Sequence, residues 1–293
     1  MRVDGQIRGG GDKGSEPMEL APGLYLVATP IGNLGDLAPR AVATLAGCDR
    51  ILAEDTRHTG RLLAHLGIDR PLARLDDHTE AQAAVRLAAE IAAGGRLALV
   101  SDAGTPLIND PGFLLVRACR AAGVAVCGVP GPSAPLFALT LSGLPADRFT
   151  FTGFVPRKGE ARRGWLDELT RATHTWLCLE SPHRLVATLE AVAAVVDDRR
   201  VAVARELTKL HEEVRVARAA ELASHYRTHP PKGEICLVIE GGDRAAVPGV
   251  DAPLLALARA LIAPTPLPPR AAAKLVAAAT GAAANDLYRV LVR

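Results

Sequence analysis

What is scarce in this chain narrows its chemistry first. Aromatic residues make up 3% of the 293 positions, which argues against nucleic-acid binding through a broad platform of stacked rings. The formal net charge is only +2, so a polyanion would have to be met by local basic clusters. The five cysteines, Cys48, Cys119, Cys127, Cys178 and Cys236, are scattered without a CxxC pair and read as small buried hydrophobes of a reducing cytoplasm. No run of about 18 apolar residues escapes charge or proline, so no membrane span is expected. Residues 1–20 are polar and glycine-rich, lack the apolar stretch of a secretory signal, and read as a disordered extension. The segment LHEEVRV at 210–216 has no second histidine to complete HExxH, and no Cys/His cluster has ligand spacing, so no metal site is expected. GxSxG is also missing, against a hydrolase reading, and the glycine-rich turn at 29–35 is neither GxGxxG nor GxxxxGK[ST], against dinucleotide and triphosphate-loop readings.

What is present is a soluble composition, 49% hydrophobic and 23% charged, with enough chain for two domains at roughly 100–200 residues each. The most informative stretch is GLYLVATPIGNLG at 23–35. Its apolar run Leu24–Val27 has the pattern of a strand buried on both faces, broken by a Thr-Pro-x-Gly-Asn-x-Gly turn that lets a ligand approach the main chain. Strands are expected near Gly23–Ala28, Arg50–Glu54, Arg96–Ser101 and Val124–Val129, in a βαβ rhythm. Asp36, Asp110 (with Pro111 at N1) and Asp77 (with Glu80, at capping-box spacing) are the expected helix caps, and Gly123 and Gly94-Gly95 the stops. After a Pro/Gly-rich crossover at 128–135, strands near Phe149–Val155, Thr175–Glu180, Val201–Glu206, Glu213–Ala217 and Glu234–Glu240 form a second, mixed sheet. Ser181-Pro182 repeats the cap signal. Beyond Gly242 the composition turns to Ala, Pro and Leu, with APTPLPPR as a hinge and helices over Arg270–Ala279 and Asn285–Val292. That tail has about the size of a helix-turn-helix and equally suits an arm packing on a partner subunit.

Ligands of open parallel sheets gather at the carboxyl ends of the strands, and the loops there are rich: Thr29-Pro30-Ile31-Gly32-Asn33, Glu54-Asp55-Thr56-Arg57-His58, Ser101-Asp102-Ala103-Gly104-Thr105-Pro106 and Pro130-Gly131-Pro132-Ser133-Ala134. Each has a structural alternative: Asp102 as a turn cap, Ser133 as a helix cap, His58 as a solvent-facing side chain, Arg57 in an ion pair. Their joint placement on one edge favours a ligand cleft.

Taken in order, TPIGNLGD, AEDTR, SDAGTPLINDPG, VPGPSA, LSGLP, FTGFVP, ESPHR, RELTK and KGE resemble the motif series of the small-subunit ribosomal RNA ribose 2′-O-methyltransferases, a branch of the tetrapyrrole methylase superfamily. The resemblance covers residues 21–242 and extends weakly to NDLYR in the tail. Asn109, where Ser is more usual, is a modest departure. The resemblance implies an α/β, two-lobed tetrapyrrole-methylase-like (class III methyltransferase) fold with a small C-terminal helical module. Its parts would be 1–20 as the extension, 21–135 and 136–243 as the lobes, and 244–293 as linker and helical module. It implies S-adenosylmethionine bound between the lobes, a homodimer, and methylation of a cytidine ribose in the decoding region of 16S rRNA, free or in the assembled small subunit.

By the same resemblance the cofactor candidates are Pro30, Gly32, Asn33, Asp102, Ala103, Gly104, Thr105, Ser133 and Ala134, with Leu179, Ala204 and Gly233. The RNA candidates are Arg57, His58, Arg157, Lys158, Arg162, Arg163, His183, Arg184 and Lys209, of which Arg162 and Arg163 equally suit the wet face of a helix. Glu180, Glu206, Asp55 and Glu54 are the carboxylates that could accept a proton or orient a partner, with Arg57, Arg184 and Arg205 as their counter-charges; Glu180, Glu206, Asp55 and Arg57 form the catalytic set. Two rivals stay open: a small-molecule tetrapyrrole methylase, against which the basic GFVPRKGEARR and ESPHR loops argue, and a non-catalytic RNA-binding assembly module, which has no need of the TPIGN, SDAGTP and PGPSA loops.

Overall fold

The computed structural model describes residues 19–242, 252–262 and 267–292, and the chain divides into two units. Nearly all of the expected extension and part of the APTPLPPR hinge lie outside the described residues. The first unit runs to Phe137 and includes Leu207–Leu210; the second holds Ala138–Glu206 and the described residues from His211 onward.

The first unit is built on strands β1 (Gly23–Val27), β2 (Arg50–Ala53), β3 (Leu72–Arg74), β4 (Arg96–Val100) and β5 (Val126–Val129), all parallel in the order β3-β2-β4-β1-β5. Its helices are α1 (Pro39–Gly47), α2 (Thr56–His65), α3 (Asp77–Ala92), α4 (Phe113–Ala121) and α5 (Ala134–Ser142), the last crossing the unit boundary. Because alternate strand residues face opposite ways, Tyr25, Val27, Ile51, Ala53, Ala98 and Val100 pack with Ala41 and Leu45 of α1 and Leu63 of α2. Leu24, Leu52, Leu97 and Leu99 pack with Leu87 and Ile91 of α3 and Leu115 of α4 on the other face. Covering both faces is what made these strands read as continuous apolar runs. Leu20, counted above with the extension, is buried in the first of these clusters.

Local rules misplaced several helix starts. Asp36 lies in a 3₁₀ turn, Leu34–Asp36, capped by the Asn33 side chain, and α1 begins at Pro39, whose ring suits a first turn. The capping box of α3 is Asp76 with Thr79 instead of Asp77 with Glu80: Thr79 N–H donates to Asp76 Oδ1 (2.9 Å) and Asp76 N–H to Thr79 Oγ1 (3.1 Å). That shift leaves buried Glu80 to cap another helix. α4 starts after Gly112, held at φ +130, where a Cβ would fall 2.5 Å from Leu99 Cδ2. Lacking a local cap, it presents Leu115 N–H to Glu80 Oε1 at 2.9 Å. Asp110 therefore is not the cap; it accepts from the Ser101 hydroxyl. Ser181-Pro182 precede α7 by a turn. Cys127 lies exposed on edge strand β5, unlike the other four cysteines.

The second unit has β6 (Phe149–Phe154), α6 (Gly159–Arg171), β7 (Thr175–Glu180), α7 (Leu185–Val195), β8 (Arg200–Arg205), β9 (Glu213–Arg218), α8 (Ala219–Thr228) and β10 (Ile235–Ile239). Its mixed sheet runs β6-β7-β10-β8-β9, with only β6 and β7 parallel. Trp176, Cys178, Val201, Val203 and Leu237 form one face, packed on Trp165, Leu169, Leu185, Leu189, Val192, Leu222 and Tyr226 from the three helices. Burial pushes the Cys236 thiol up to about 12, so it stays a neutral hydrophobe at physiological pH. The tail carries α9 (Ala252–Ile262), α10 (Pro269–Thr280) and α11 (Ala284–Leu291) around Ala258, Ala273, Val276 and Leu287. Gly281 ends α10 at φ +73, as the Thr280-Gly281 break predicts.

Replacing Glu80 with Leu should strip α4 of its cap and lower unfolding free energy by about 1–2 kcal/mol. Glu80→Gln, which retains an acceptor oxygen, should lose less. Urea denaturation followed by circular dichroism measures both.

Candidate active site

β1 and β4 are neighbours in the sheet, yet the chain leaves β1 for α1 on one face and β4 for α4 on the other. Divergence of adjacent strands opens a crevice at their carboxyl ends. The two loops meet there as a short antiparallel bridge: Thr29 N–H donates to Gly104 O (2.9 Å) and Gly104 N–H to Thr29 O (3.1 Å). The buried Thr29 hydroxyl donates to Ser101 O at 2.9 Å. Gly104 stands at φ +91, and a Cβ there would come within 3.3 Å of Ile31 Cγ2, so the bridge requires glycine. Thr105 Oγ1 donates to Pro132 O (3.0 Å), fastening the β5 loop. On the opposite side Asp55 N–H donates to Asp102 Oδ1 (3.2 Å), fastening the β2 loop. The four loops read from the sequence are thus knitted together over one sheet edge.

Their electrostatics are uneven. Asp55 caps α2 and is gripped by Arg57, whose N–H, Nε and Nη2 donate at 2.8, 3.1 and 2.9 Å. These bonds hold the Asp55 carboxyl far below the usual carboxylate range, so at neutral pH it is a weak proton acceptor. Glu54 is pushed the other way, by partial desolvation and then by the carboxylates of Asp102, Asp110, Asp77 and Asp76. Asp110 is raised by desolvation foremost, with Asp102 and Asp77 adding to it and the Ser101 hydroxyl opposing it. Negative charge is concentrated beside Asp102, an arrangement that disfavours an anion and favours a cationic ligand. Glu54, Ser101 and Asp110 received no cofactor role from the sequence; their alignment depends on β2 and β4 lying side by side.

Lys209 belongs to the segment that folds with the first unit. Its stem crosses Gly32: a Cβ there would fall 2.4 Å from Lys209 Cγ and 2.9 Å from Cε. Asn33 spends its side-chain oxygen on Gly35 N–H (2.9 Å). Pro30, Thr105, Ser133 and Ala134 are half-buried, Ala103 exposed, and Arg57 and His58 exposed.

The remaining candidates sit in the second unit. Leu179 of β7 and Ala204 of β8 both pair with Cys236 of β10 and so form one row across the sheet. Gly233, at φ +82, makes room for Glu206: a Cβ would fall 1.9 Å from Glu206 Oε1, which accepts from Glu234 N–H at 3.2 Å. Glu206 itself holds φ +50. Glu180 is buried with both oxygens engaged, Oε1 by Ser181 N–H (2.7 Å) and Oε2 by Arg184 Nη2 (2.8 Å) and Thr188 Oγ1 (2.6 Å). Arg184 is therefore an ion-pair partner, and Arg162 is tied to Pro156 O at 3.2 Å. Arg205 pairs with Glu213. Arg157, Lys158, Arg163 and His183 are exposed. Among the described residues no group of three or more His, Cys, Asp or Glu side chains is arranged to hold a metal, and no helix is long and apolar enough to cross a membrane.

Residues 23–223 match the family described as Tetrapyrrole (Corrin/Porphyrin) Methylases. Solved structures share the fold: uroporphyrin-III-C-methyltransferase from Thermus thermophilus, at 22% identity and a TM-score of 0.52, covers 73% of this chain and 93% of its own. Diphthine synthase, at 15% and 0.57, covers 74% and 89%. The family match over residues 23–223 places the chain among the tetrapyrrole methylases, and these structures share its fold. Nearer relatives narrow it. Ribosomal RNA small subunit methyltransferase I of Xylella fastidiosa (strain Temecula1 / ATCC 700964) is 48% identical over 270 residues, 90% of this chain and 97% of that one. The enzymes of the same name from Erythrobacter litoralis (strain HTCC2594) and Escherichia coli O157:H7 are 49% and 45% identical, over 94% and 91% of this chain and 96% and 93% of theirs. The chain belongs to the ribosomal RNA small subunit methyltransferase I family.

A carboxylate whose pKa is raised on folding contributes stability below its unfolded pKa and loses it as pH rises through the folded value. Asp110→Asn keeps an acceptor for Ser101 and removes that loss. The variant should be more stable than the parent at pH 7, and the difference should vanish below about pH 3.8, the ordinary aspartate value. Urea midpoints across pH test the sign.

Proposed function

We propose that this chain is the enzyme that transfers a methyl group from S-adenosylmethionine to the ribose 2′-oxygen of a cytidine in the decoding region of small-subunit rRNA, acting as a homodimer in the cytoplasm. The observation that carries the reading is whole-length similarity to enzymes of that name, at 45–49% identity over about nine-tenths of the chain. The crevice chemistry fits the cofactor. S-adenosylmethionine brings a sulfonium-activated methyl group and a net positive charge, and the crevice offers the Asp102, Asp110 and Glu54 carboxylates.

Pro30, Gly32, Asn33, the Asp102–Thr105 loop, Ser133 and Ala134 are the cofactor-holding residues of the first unit, and Leu179, Ala204 and Gly233 those of the second. Orienting two reactants is worth up to about 10⁵–10⁸ M in effective molarity, against roughly 10²–10⁴-fold for a positioned base. Positioning by these loops therefore dominates the chemistry. Arg57, drawn down onto Asp55, orients the β2 loop. Exposed Arg157, Lys158, Arg163 and His183 meet RNA phosphates and unpaired bases, with Lys209 over the β1 loop. These surface cations also favour RNA over a porphyrin-like acceptor, which would call for an apolar surface.

Purified protein incubated with labelled S-adenosylmethionine and small subunits lacking the modification should place label on a cytidine 2′-oxygen in the decoding region. Measurable cofactor binding without transfer would reject the reading in favour of another acceptor. Asp102→Ala should weaken cofactor binding at least tenfold by calorimetry; unchanged affinity would remove Asp102 from the site.

A further inference from the structure

Two of the basic residues that the sequence offers to RNA are spent inside the protein, and what they hold is the loop carrying two others. Arg184 Nη2 donates to Val155 O and also, at 2.8 Å, to Glu180 Oε2. Arg162 Nη1 donates to the next carbonyl, Pro156 O, at 3.2 Å. Val155 N–H is fixed to Leu179 O at 3.0 Å, so the main chain on both sides of the 155–156 peptide is held. The two guanidinium groups are coupled through one hydroxyl: Thr188 Oγ1 accepts from Arg162 Nη2 at 3.3 Å and donates to Glu180 Oε2 at 2.6 Å. Glu180 and Thr188 are 2% and 1% exposed, so the anchor of this arrangement is dry and its bonds are strong. Arg157 and Lys158, the two residues that follow, are exposed.

We infer that Glu180, Thr188, Arg184 and Arg162 form a clamp that presents Arg157 and Lys158 to the phosphates of the RNA substrate in a fixed geometry. This rests on the RNA-methylating reading above. Glu180 is then a positioning residue and takes no proton from the acceptor, because its oxygens are already engaged. Arg184 acts through the loop and not by touching RNA. A loop ordered in advance binds without the entropy cost of ordering it, and one freed backbone residue corresponds to roughly a tenfold loss of affinity.

Thr188→Val keeps the shape of the side chain and removes the shared hydroxyl. It should raise the KM for small subunits roughly tenfold, with kcat and cofactor affinity at parental values. In an Arg157→Ala/Lys158→Ala background the same change should add nothing. Additive effects, or a fall in kcat or cofactor affinity with Thr188→Val, would overturn the clamp. Arg184→Lys distinguishes contact from positioning: a phosphate contact survives the substitution, whereas the forked clamp is lost, and a parental KM would overturn the inference. Hydrogen exchange reads the clamp independently of any substrate. The Val155 amide, bonded to Leu179 O, should exchange faster in Thr188→Val when both proteins are held well below their melting temperatures, and parental exchange rates would reject the clamp outright. Absence of methyl transfer by the parental protein would instead reject the RNA reading, and the substrate part of this inference with it.

Discussion

The reciprocal pair of hydrogen bonds between Thr29 and Gly104 is the contact on which the candidate site depends. β1 and β4 send their chains to opposite faces of the sheet, and without a tie their loops would splay. The bridge brings them together at the one place where the topology leaves a gap. Thr105 and Asp55 then extend the tie sideways to Pro132 and Asp102. Because each link joins main chain to main chain or to a short side chain, the geometry of the edge is set by the sheet register and not by long flexible groups. Gly104 is indispensable to this arrangement through its left-handed backbone and the closeness of Ile31.

The same edge concentrates carboxylates whose desolvation, added to by their mutual repulsion, works against folding. Glu54 and Asp110 both resist ionisation, a local conflict of the kind that marks functional sites. Under the proposed function, a positively charged cofactor seated there would relieve it, and its binding would recover interaction energy that the free protein lacks. The basic surface of the second unit is arranged on a different plan. There some cations are half-buried as scaffold and others displayed, and a single buried carboxylate, Glu180, sorts Arg184 into the first group.

Much of this was legible in the sequence. Strands such as Thr175–Glu180 matched closely because both faces are apolar or capped by a turn, and the four carboxyl-edge loops followed from where those strands end. The misses have local causes. Leu72–Arg74 is too short to carry a period of its own and exists through pairing with β2. The cap signals slid because several polar residues compete near each helix start: Asp76 outcompetes Asp77, and the displaced Glu80 crosses to α4. α9 was hidden in a segment whose alanine, proline and leucine content read as linker. The division of labour among Arg157, Lys158, Arg162 and Arg184 cannot be read from spacing, since it depends on Thr188 arriving from the next helix.

Leu207–Leu210 lies between strands of the second unit but folds with the first, with buried Leu207 and the Lys209 stem laid against Gly32. A nascent chain emerging amino end first therefore has the whole sheet of the first unit in hand long before the peptide that completes it. At roughly 5–20 residues per second, the interval between Phe137 and this segment is several seconds. During that time the β1 loop is bare on the side that Lys209 will cover, and the completion of the first unit is timed by synthesis of the second.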